Sequence, residues 1–416
     1  MYIALALLNA ILGAVALVAP RRGLLAFVLV LLTVPSSTAF AALTYQYGLH
    51  VGDYFFLVLL AAYPLRATRQ AQPRWAIRIF ALLGIVFAIS MVGLLVAERP
   101  IDKYLLRDLR PFLVVSEALM FWLLAKRVTV SGRLILWLGI AAGISPFIGF
   151  GLITSGAYAV TDVFYEANSF RYLAIGSYAS AVLLMWLSAM GRPAGRLLTS
   201  AAAAAAMAAL VLSGSRTLIV ATVLGCAVAG PLRATRLVMV GAVGAIVLGA
   251  FAYISVALGV ERVSSGTTAE GLGMQLAVRF GPALTQLQAM QVWQYVVGSG
   301  LGTTFDIPWF EYRDLDAFSN SIDSTYLTLA VKFGLVSLVF LWAFVQAFGV
   351  GRVSPGMSRA LLLFMGIVFW TSALPYQNYA FGIPLFCALA SRVASREPSP
   401  SRARRARHFH TAALAT

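Results

Sequence analysis

The chain has 416 residues, of which 61% are hydrophobic and only 11% are charged. A soluble domain carries about 25% charged residues, so this composition excludes an ordinary water-soluble domain and implies an all-α polytopic membrane protein. The net charge of +16 resides in short basic clusters between apolar stretches, which is the pattern that orients membrane proteins and speaks against nucleic acid as a partner.

Apolar segments run at about 2–20, 23–43, 52–65, 77–97, 112–125, 134–154, 172–190 and 197–215, then at 217–232, 237–259, 323–349, 358–374 and 379–393. Short segments such as 52–65 are compatible with tilting or partial re-entry, so about 12 or 13 spans are expected. Residues 2–20 lack the basic leading stretch of a cleavable signal peptide. Cys226 and Cys387 both fall inside apolar segments, which excludes a disulfide framework. The run Ala201–Ala206, continued by Met207, Ala208 and Ala209, suits close helix approach.

Arginines set the orientation. One set of connections holds Arg21, Arg22, Arg66, Arg69, Arg74, Arg78, Lys126, Arg127, Arg133, Arg192, Arg196, Arg233, Arg236, Arg352 and Arg359. These belong in the cytoplasm by the positive-inside rule, together with a basic tail at 394–416 expected to be disordered. The alternate connections carry nearly all the acids, Asp53, Asp102, Asp108 and Asp162 among them, and are assigned to the outer face. With 13 spans the N-terminus lies outside and the C-terminus inside. The organisation is then a bundle at 1–259, an outer loop at 260–322 and further spans at 323–393.

The loop at 260–322 is the one long polar interruption. Gly281 and Pro282 predict a helix start. Leu284, Leu287, Met290, Trp293 and Val297 follow at spacings of three or four, and Gly298 and Gly300 close the helix. Such an amphipathic helix would lie along the membrane surface as a lid.

Among chemical candidates, Arg216 stands 20 residues after Arg196. At about 1.5 Å per residue that is roughly 30 Å, one hydrocarbon thickness, so Arg216 emerges at the outer face. Beside Ser213, Ser215 and Thr217, its guanidinium fork suits a phosphate. An interfacial arginine snorkelling to head groups is the plainer alternative. Arg279, in the apolar stretch Leu276–Phe280, and Arg171 and Arg313 add outer positive charge, each of which could equally be a solvated loop residue.

Asp323 opens a span, where it could accept a proton from a sugar hydroxyl or cap the helix. Asp314-Leu-Asp316 has the form of a metal-binding Asp-x-Asp, a pair common by chance in acidic loops. Glu117 and Lys332 lie inside spans, about seven residues inward from Arg110 and nine from Asp323, at roughly 10–14 Å depth. They are expected to pair or to line a cavity floor. Trp309, Phe310, Tyr312 and Tyr326 could stack on sugars, though interface anchoring is commoner. The residues of His/Cys metal sites, Ser/His/Asp triads and phosphate-cradling loops are missing, so neither metal nor cofactor is expected.

Two segments bracket the loop. Ser213-Gly-Ser-Arg216-Thr217 resembles the Ser-x-Ser-Arg segment of the bacterial O-antigen polymerase/O-antigen ligase family. Arg279 followed by Trp293 and Gly298-Ser-Gly-Leu-Gly302 is similar to that family's loop. Asn320-Ser-Ile-Asp323-Ser-Thr-Tyr326-Leu327, with Gly334 beyond, resembles the opening of its next span. The match covers roughly residues 165–345.

The resemblance implies a GT-C-like glycosyltransferase acting at the periplasmic face on undecaprenyl-diphosphate-linked glycan, with the bilayer and a chain-length regulator as partners. Arg216 and Arg279 would hold the diphosphate. Ligase members carry a His-Asn pair where this chain has Asp323-Ser324, a departure that favours an O-antigen or exopolysaccharide polymerase over a ligase. A lipid-linked oligosaccharide flippase is the competing class, but the conspicuous charges gather toward one face rather than at midmembrane.

Overall fold

The computed structural model describes residues 1–34, 36, 40–46, 48–67, 73–96, 98, 101–157, 172–190, 195–231, 234–257, 269–307 and 318–394. Among the described residues the fold is all-α apart from two short hairpins. In chain order the helices begin with α1 (Tyr2–Val18), α2 (Pro20–Thr33) and the single-turn α3 (Ala41–Thr44). A hairpin of β1 (Tyr45–Gln46) and β2 (Leu49–His50) leads to α4 (Asp53–Ala67), α5 (Arg74–Val96), the short α6 (Lys103–Asp108) and α7 (Arg110–Ala125). Then come α8 (Gly132–Thr154), α9 (Ile175–Met190), α10 (Arg196–Leu212), α11 (Arg216–Ala229) and α12 (Ala234–Ala257). The loop region that follows holds α13 (Ala269–Gln288), α14 (Val292–Val297) and the paired β3 (Phe305–Asp306) and β4 (Phe318–Ser319). The chain ends with α15 (Thr325–Phe333), α16 (Ser337–Ala347), α17 (Pro355–Thr371) and α18 (Gly382–Ala394).

Serine and proline set the helix starts. Ser131, Ser215 and Ser324 each accept a backbone N–H of the first turn, which satisfies one of the donors a helix leaves open. Pro20, Pro111 and Pro355 sit in the first turn of α2, α7 and α17, where their missing N–H costs nothing. The segment expected to span 23–43 stops at Thr33, with Val34 already extended at φ −73° and ψ 127°, the conformation a following proline imposes.

Among the described residues, three helical stretches are long and apolar enough to cross a membrane, each of 23 residues: α5, α8 and the composite Thr325–Ala347 formed by α15 and α16. Shorter apolar helices, including α1, α9, α10, α11 and α17, accompany them. Much of the surface is apolar: Ile77, Ile85 and Val92 on α5, Trp137 and Ile148 on α8, and Leu338 and Trp342 on α16 are all exposed. α5 nonetheless buries Ile79, Leu83 and Val86 on its other side. Both faces are apolar, and one is exposed among the described residues, as lipid-facing helices require.

α9 and α18 form the centre. α9 packs against α8, α10, α11 and α18, and Ile175 through Leu183 are all buried. The alanine run of α10 serves close packing: Ala202, Ala206 and Ala209 are buried. Gly143 of α8 lies so near that a Cβ there would come within 2.7 Å of Ala205. Small residues let these two backbones meet.

The loop differs from expectation in two ways. Its first helix, α13, starts at Ala269 rather than at Pro282, which falls inside it. Val278, whose carbonyl loses its partner at Pro282, belongs to an exposed residue, so solvent can satisfy it. The helix also stops at Gln288, and α14 starts separately, with a reciprocal cap between Gln291 and Gln294. Gly298 ends α14, as its place in the sequence predicts.

The loop does not merely cover the bundle. The N–H groups of Ser299 and Gly300 donate to the carbonyls of Val331 and Lys332, at 2.8 and 3.0 Å, at the last turn of α15. Gly300 also touches Gly93 of α5, whose added Cβ would lie 3.0 Å from it. The 298–302 turn thus enters between α5 and α15 and satisfies carbonyls that the helix break at Gly334 leaves open.

Candidate functional site

Where the loop meets the bundle, α13 packs on α15 through Ala283, Met290, Phe305, Ile307, Ile322 and Val331, flanked by Phe280, Leu287 and Leu327. Next to Phe280, Arg279 points out of this contact. Its Nε lies 3.9 Å from Oδ2 of Asp323, with the two side chains 41% and 46% exposed. Two residues 44 positions apart in sequence therefore share one solvent-accessible spot. At that exposure the pair is held loosely and is open to exchange with a ligand.

Asp323 does not cap α15, as its place at the span opening would allow. Ser324 takes that position, its hydroxyl accepting from Leu327 N, which leaves the Asp323 carboxylate outside the helix. Behind it the helix start is fastened to α17: Thr325 donates to Ser372 O at 2.6 Å and accepts from Leu374 N at 3.0 Å. Tyr326 donates to Gly366 O at 3.1 Å and packs edge-on to Phe369. Tyr326 therefore acts in packing between helices, and its hydroxyl is committed.

Arg216 is the first residue of α11 and is exposed. Its two serine neighbours are turned to the backbone. Ser213, fully buried, donates to Leu210 O at 2.6 Å and accepts from Ser215 N. Ser215 is the cap of α11. The Ser213 hydroxyl is thus committed within its own turn, whereas Ser215, partly exposed, accepts from the helix and keeps its own hydrogen to donate beside Arg216 and the partly exposed Thr217. The turn between α10 and α11 needs Gly214, whose φ is +62°. Tyr172 N donates to Leu212 O at 3.3 Å, so the start of α9 abuts this turn. Arg171, Arg313 and Asp314-Leu-Asp316 lie outside the described residues.

The expected pairing of Glu117 with Lys332 is replaced by two separate clusters. Lys332 Nζ donates to both oxygens of Asp108, at 2.6 and 2.5 Å, and to Thr303 O at 2.7 Å. Asp108 also accepts from Gly302 N at 2.7 Å and Asn320 Nδ2 at 3.1 Å. Neither charged side chain reaches solvent. This cluster joins α6, the glycine turn and α15. Its burial makes it an anchor beneath the Arg279–Asp323 spot rather than a place where substrate can enter.

Glu117 faces the other cluster. Arg110, two turns before it on α7, forms an ion pair with Asp53 at the head of α4. Asp53 also accepts from His50 N at 2.7 Å, and His50 Nδ1 accepts from Gly52 N at 3.1 Å. The whole group is buried. Burial pushes the His50 imidazole down to about 4, against the pull of Asp53 and with help from Arg110, so it is neutral at physiological pH. In sequence Asp53 and Asp108 stood only among the acids of the outer connections, and Asn320 only in the segment that resembles the polymerase/ligase family. The available signal was Arg110, which shares a face of α7 with Glu117 seven residues on.

No curated protein and no solved structure matches the chain. Residues 129–392, well over half of it, match a family of unknown function, DUF6369, and the chain belongs to that family.

Proposed function

We propose that this protein is a polytopic, GT-C-like glycosyltransferase of the bacterial inner membrane. It polymerises undecaprenyl-diphosphate-linked repeat units at the periplasmic face into O-antigen or a related exopolysaccharide. The single observation that carries this reading is the Arg279–Asp323 contact, a cation and a carboxylate side by side and open to solvent. Arg279 belongs to the loop run, and Asp323 to the downstream segment, that resemble the polymerase/ligase family.

In the reaction a sugar hydroxyl of one chain attacks the anomeric carbon of another. A carbon–oxygen bond forms there, and the bond to the lipid diphosphate breaks. Asp323 takes the proton from the attacking hydroxyl. Arg279 and Arg216 stabilise the charge that develops on the departing diphosphate. The loose ion pair gives the order of events: an incoming diphosphate draws Arg279 to itself, and the Asp323 carboxylate is released as the base. Because the donor is already activated, neither a nucleotide nor ATP takes part. The apolar exposed faces of α5, α8 and α16 suit a substrate that arrives through the lipid.

The test is deletion of the gene, complementation with wild type, Arg279→Ala or Asp323→Ala, and analysis of surface glycan. Single repeat units on the lipid A core in the deletion and in both variants are the expected result. Unattached polymer would assign a ligase instead. Polymer of wild-type length from both variants would overturn the reading.

A further inference from the structure

At the end of the bundle away from Asp323, four helix ends bring cations together. α7 separates the two ends by 16 residues, about 24 Å. Beyond it, Lys126 lies 5.0 Å over the indole of Trp75, at the start of α5. The Arg352 guanidinium, between α16 and α17, stacks on the same indole at 3.6 Å and lies 5.6 Å from the ring of Trp122. Arg392, near the end of α18, is close enough to act on Lys126: burial first, then the charges of Arg392 and Arg352, push the Lys126 ammonium below its usual range.

Three like charges gathered here repel one another, and the cation–π attraction of Lys126 and Arg352 to the two indoles offsets only part of that. Neither Lys126 nor Arg352 has a carboxylate within ion-pair distance among the described residues. A structural explanation is at hand for part of the arrangement. Cations suit helix C-termini, and one Arg352 Nη1 donates to Gln346 O. That accounts for one of five guanidinium N–H donors and for none of the convergence. A second observation is independent of charge. The indole N–H of Trp122, 2% exposed, is buried without an acceptor, although buried indoles normally find one.

We propose that Lys126 and Arg352, with Arg392 behind them and Trp75 and Trp122 as walls, form a binding site for a phosphate anion. The anion is either the head-group phosphate of an acidic lipid or free inorganic phosphate. Arg352 offers its fork to two phosphate oxygens, held flat by Trp75 so that little ordering is needed on binding. Lys126 supplies a point charge from the solvent side. The site is separate from the Arg279–Asp323 spot and does not depend on what is transferred there.

The test uses the full-length protein in neutral detergent, with phosphatidylglycerol, phosphatidylcholine and inorganic phosphate as separate probes. Bound lipid is counted by native mass spectrometry and phosphate by calorimetry. Wild type is expected to hold phosphatidylglycerol or phosphate and to discriminate against phosphatidylcholine. Lys126→Gln, which changes an exposed side chain and leaves the fold intact, is expected to weaken binding roughly tenfold, the loss of one charge-assisted hydrogen bond. Arg352→Gln should weaken it at least as much, and Arg133→Gln not at all. Binding of phosphatidylglycerol alone assigns a lipid site; binding of phosphate alone assigns a soluble anion. Failure of both probes, or equal binding by wild type and Lys126→Gln, overturns the proposal.

Discussion

Lys332 and Asp108 are 224 residues apart in the chain, yet the ammonium donates to both oxygens of the carboxylate, and neither side chain is reached by solvent. Removing two charges from water is costly, and here the cost is offset by further bonds: Gly302 N and Asn320 Nδ2 to Asp108, Thr303 O to Lys332. Each of these partners comes from the long loop or the segment just before α15. The ion pair is thus also the fastening that draws the loop between the helices and sets α13 on α15.

Breaking such a pair on one side strands the other charge. Asp108→Asn or Lys332→Met alone should cost about 3–5 kcal/mol, whereas the double change should recover most of that loss. Thermal unfolding of the purified protein in detergent, read for all three variants, decides this. A double variant no better than the singles would mean that the charges act through separate partners.

Which parts of this were legible in the sequence follows from what a one-dimensional pattern contains. Hydropathy and Ser or Pro punctuation located the helices, because those signals are local. Depth along a helix was also legible: Lys332 and Glu117 do lie inside helical segments. Direction around the helix was not. Equal depth suggested that the two would meet, but Glu117 faces Arg110 and Asp53, and Lys332 faces an aspartate that read as one acid among several in a polar connection. Arg279 and Asp323 were separately legible as candidates, and their contact depends on α13 folding back onto α15. That the Ser213 hydroxyl would be spent on Leu210 O of its own turn was likewise not legible, because it depends on the turn's geometry.

Gly298 should tolerate no side chain. Its φ is +83°, and an added Cβ would lie 2.1 Å from the carbonyl oxygen of Lys332, a backbone atom fixed by Gly300 N. Gly298→Ala therefore combines a disfavoured conformation with a clash and should cost at least about 2 kcal/mol. Gly195→Ala, where an added Cβ meets nothing within 4 Å, is the matched control and should leave the unfolding midpoint unchanged.

His50 predicts a pH dependence of stability. Its hairpin precedes α4, and its folded-state value of about 4 lies below the ordinary 6.5. Above pH 6.5 the imidazole is neutral in both states and contributes no slope. Between 6.5 and 4 the unfolded chain binds a proton that the folded one refuses, so stability falls as pH falls, by at most about 3 kcal/mol. His50→Asn keeps an acceptor for Gly52 N and removes the proton site. Unfolding midpoints measured from pH 7.5 to 4 should therefore drop more steeply for wild type than for the variant.

The Arg279–Asp323 pair allows function and stability to be separated. Both groups are more than one-third exposed, so solvent screens them, and either alanine variant should change stability by no more than about 1 kcal/mol. If Asp323 is the base, Asp323→Ala and Asp323→Asn should each slow polymer formation by about 10²–10⁴-fold, since neither replacement accepts the proton. Arg279→Ala should lose about 10²–10³-fold by removing a charge aimed at the leaving diphosphate. Arg279→Lys should fall between, because it keeps the charge and loses the fork. Arg216→Ala should resemble Arg279→Ala if both hold the diphosphate. Initial rates on a lipid-linked repeat unit, taken beside unfolding midpoints for the same preparations, distinguish this from a structural role. Losses of rate that track losses of stability would mean that the pair merely fastens α13 to α15.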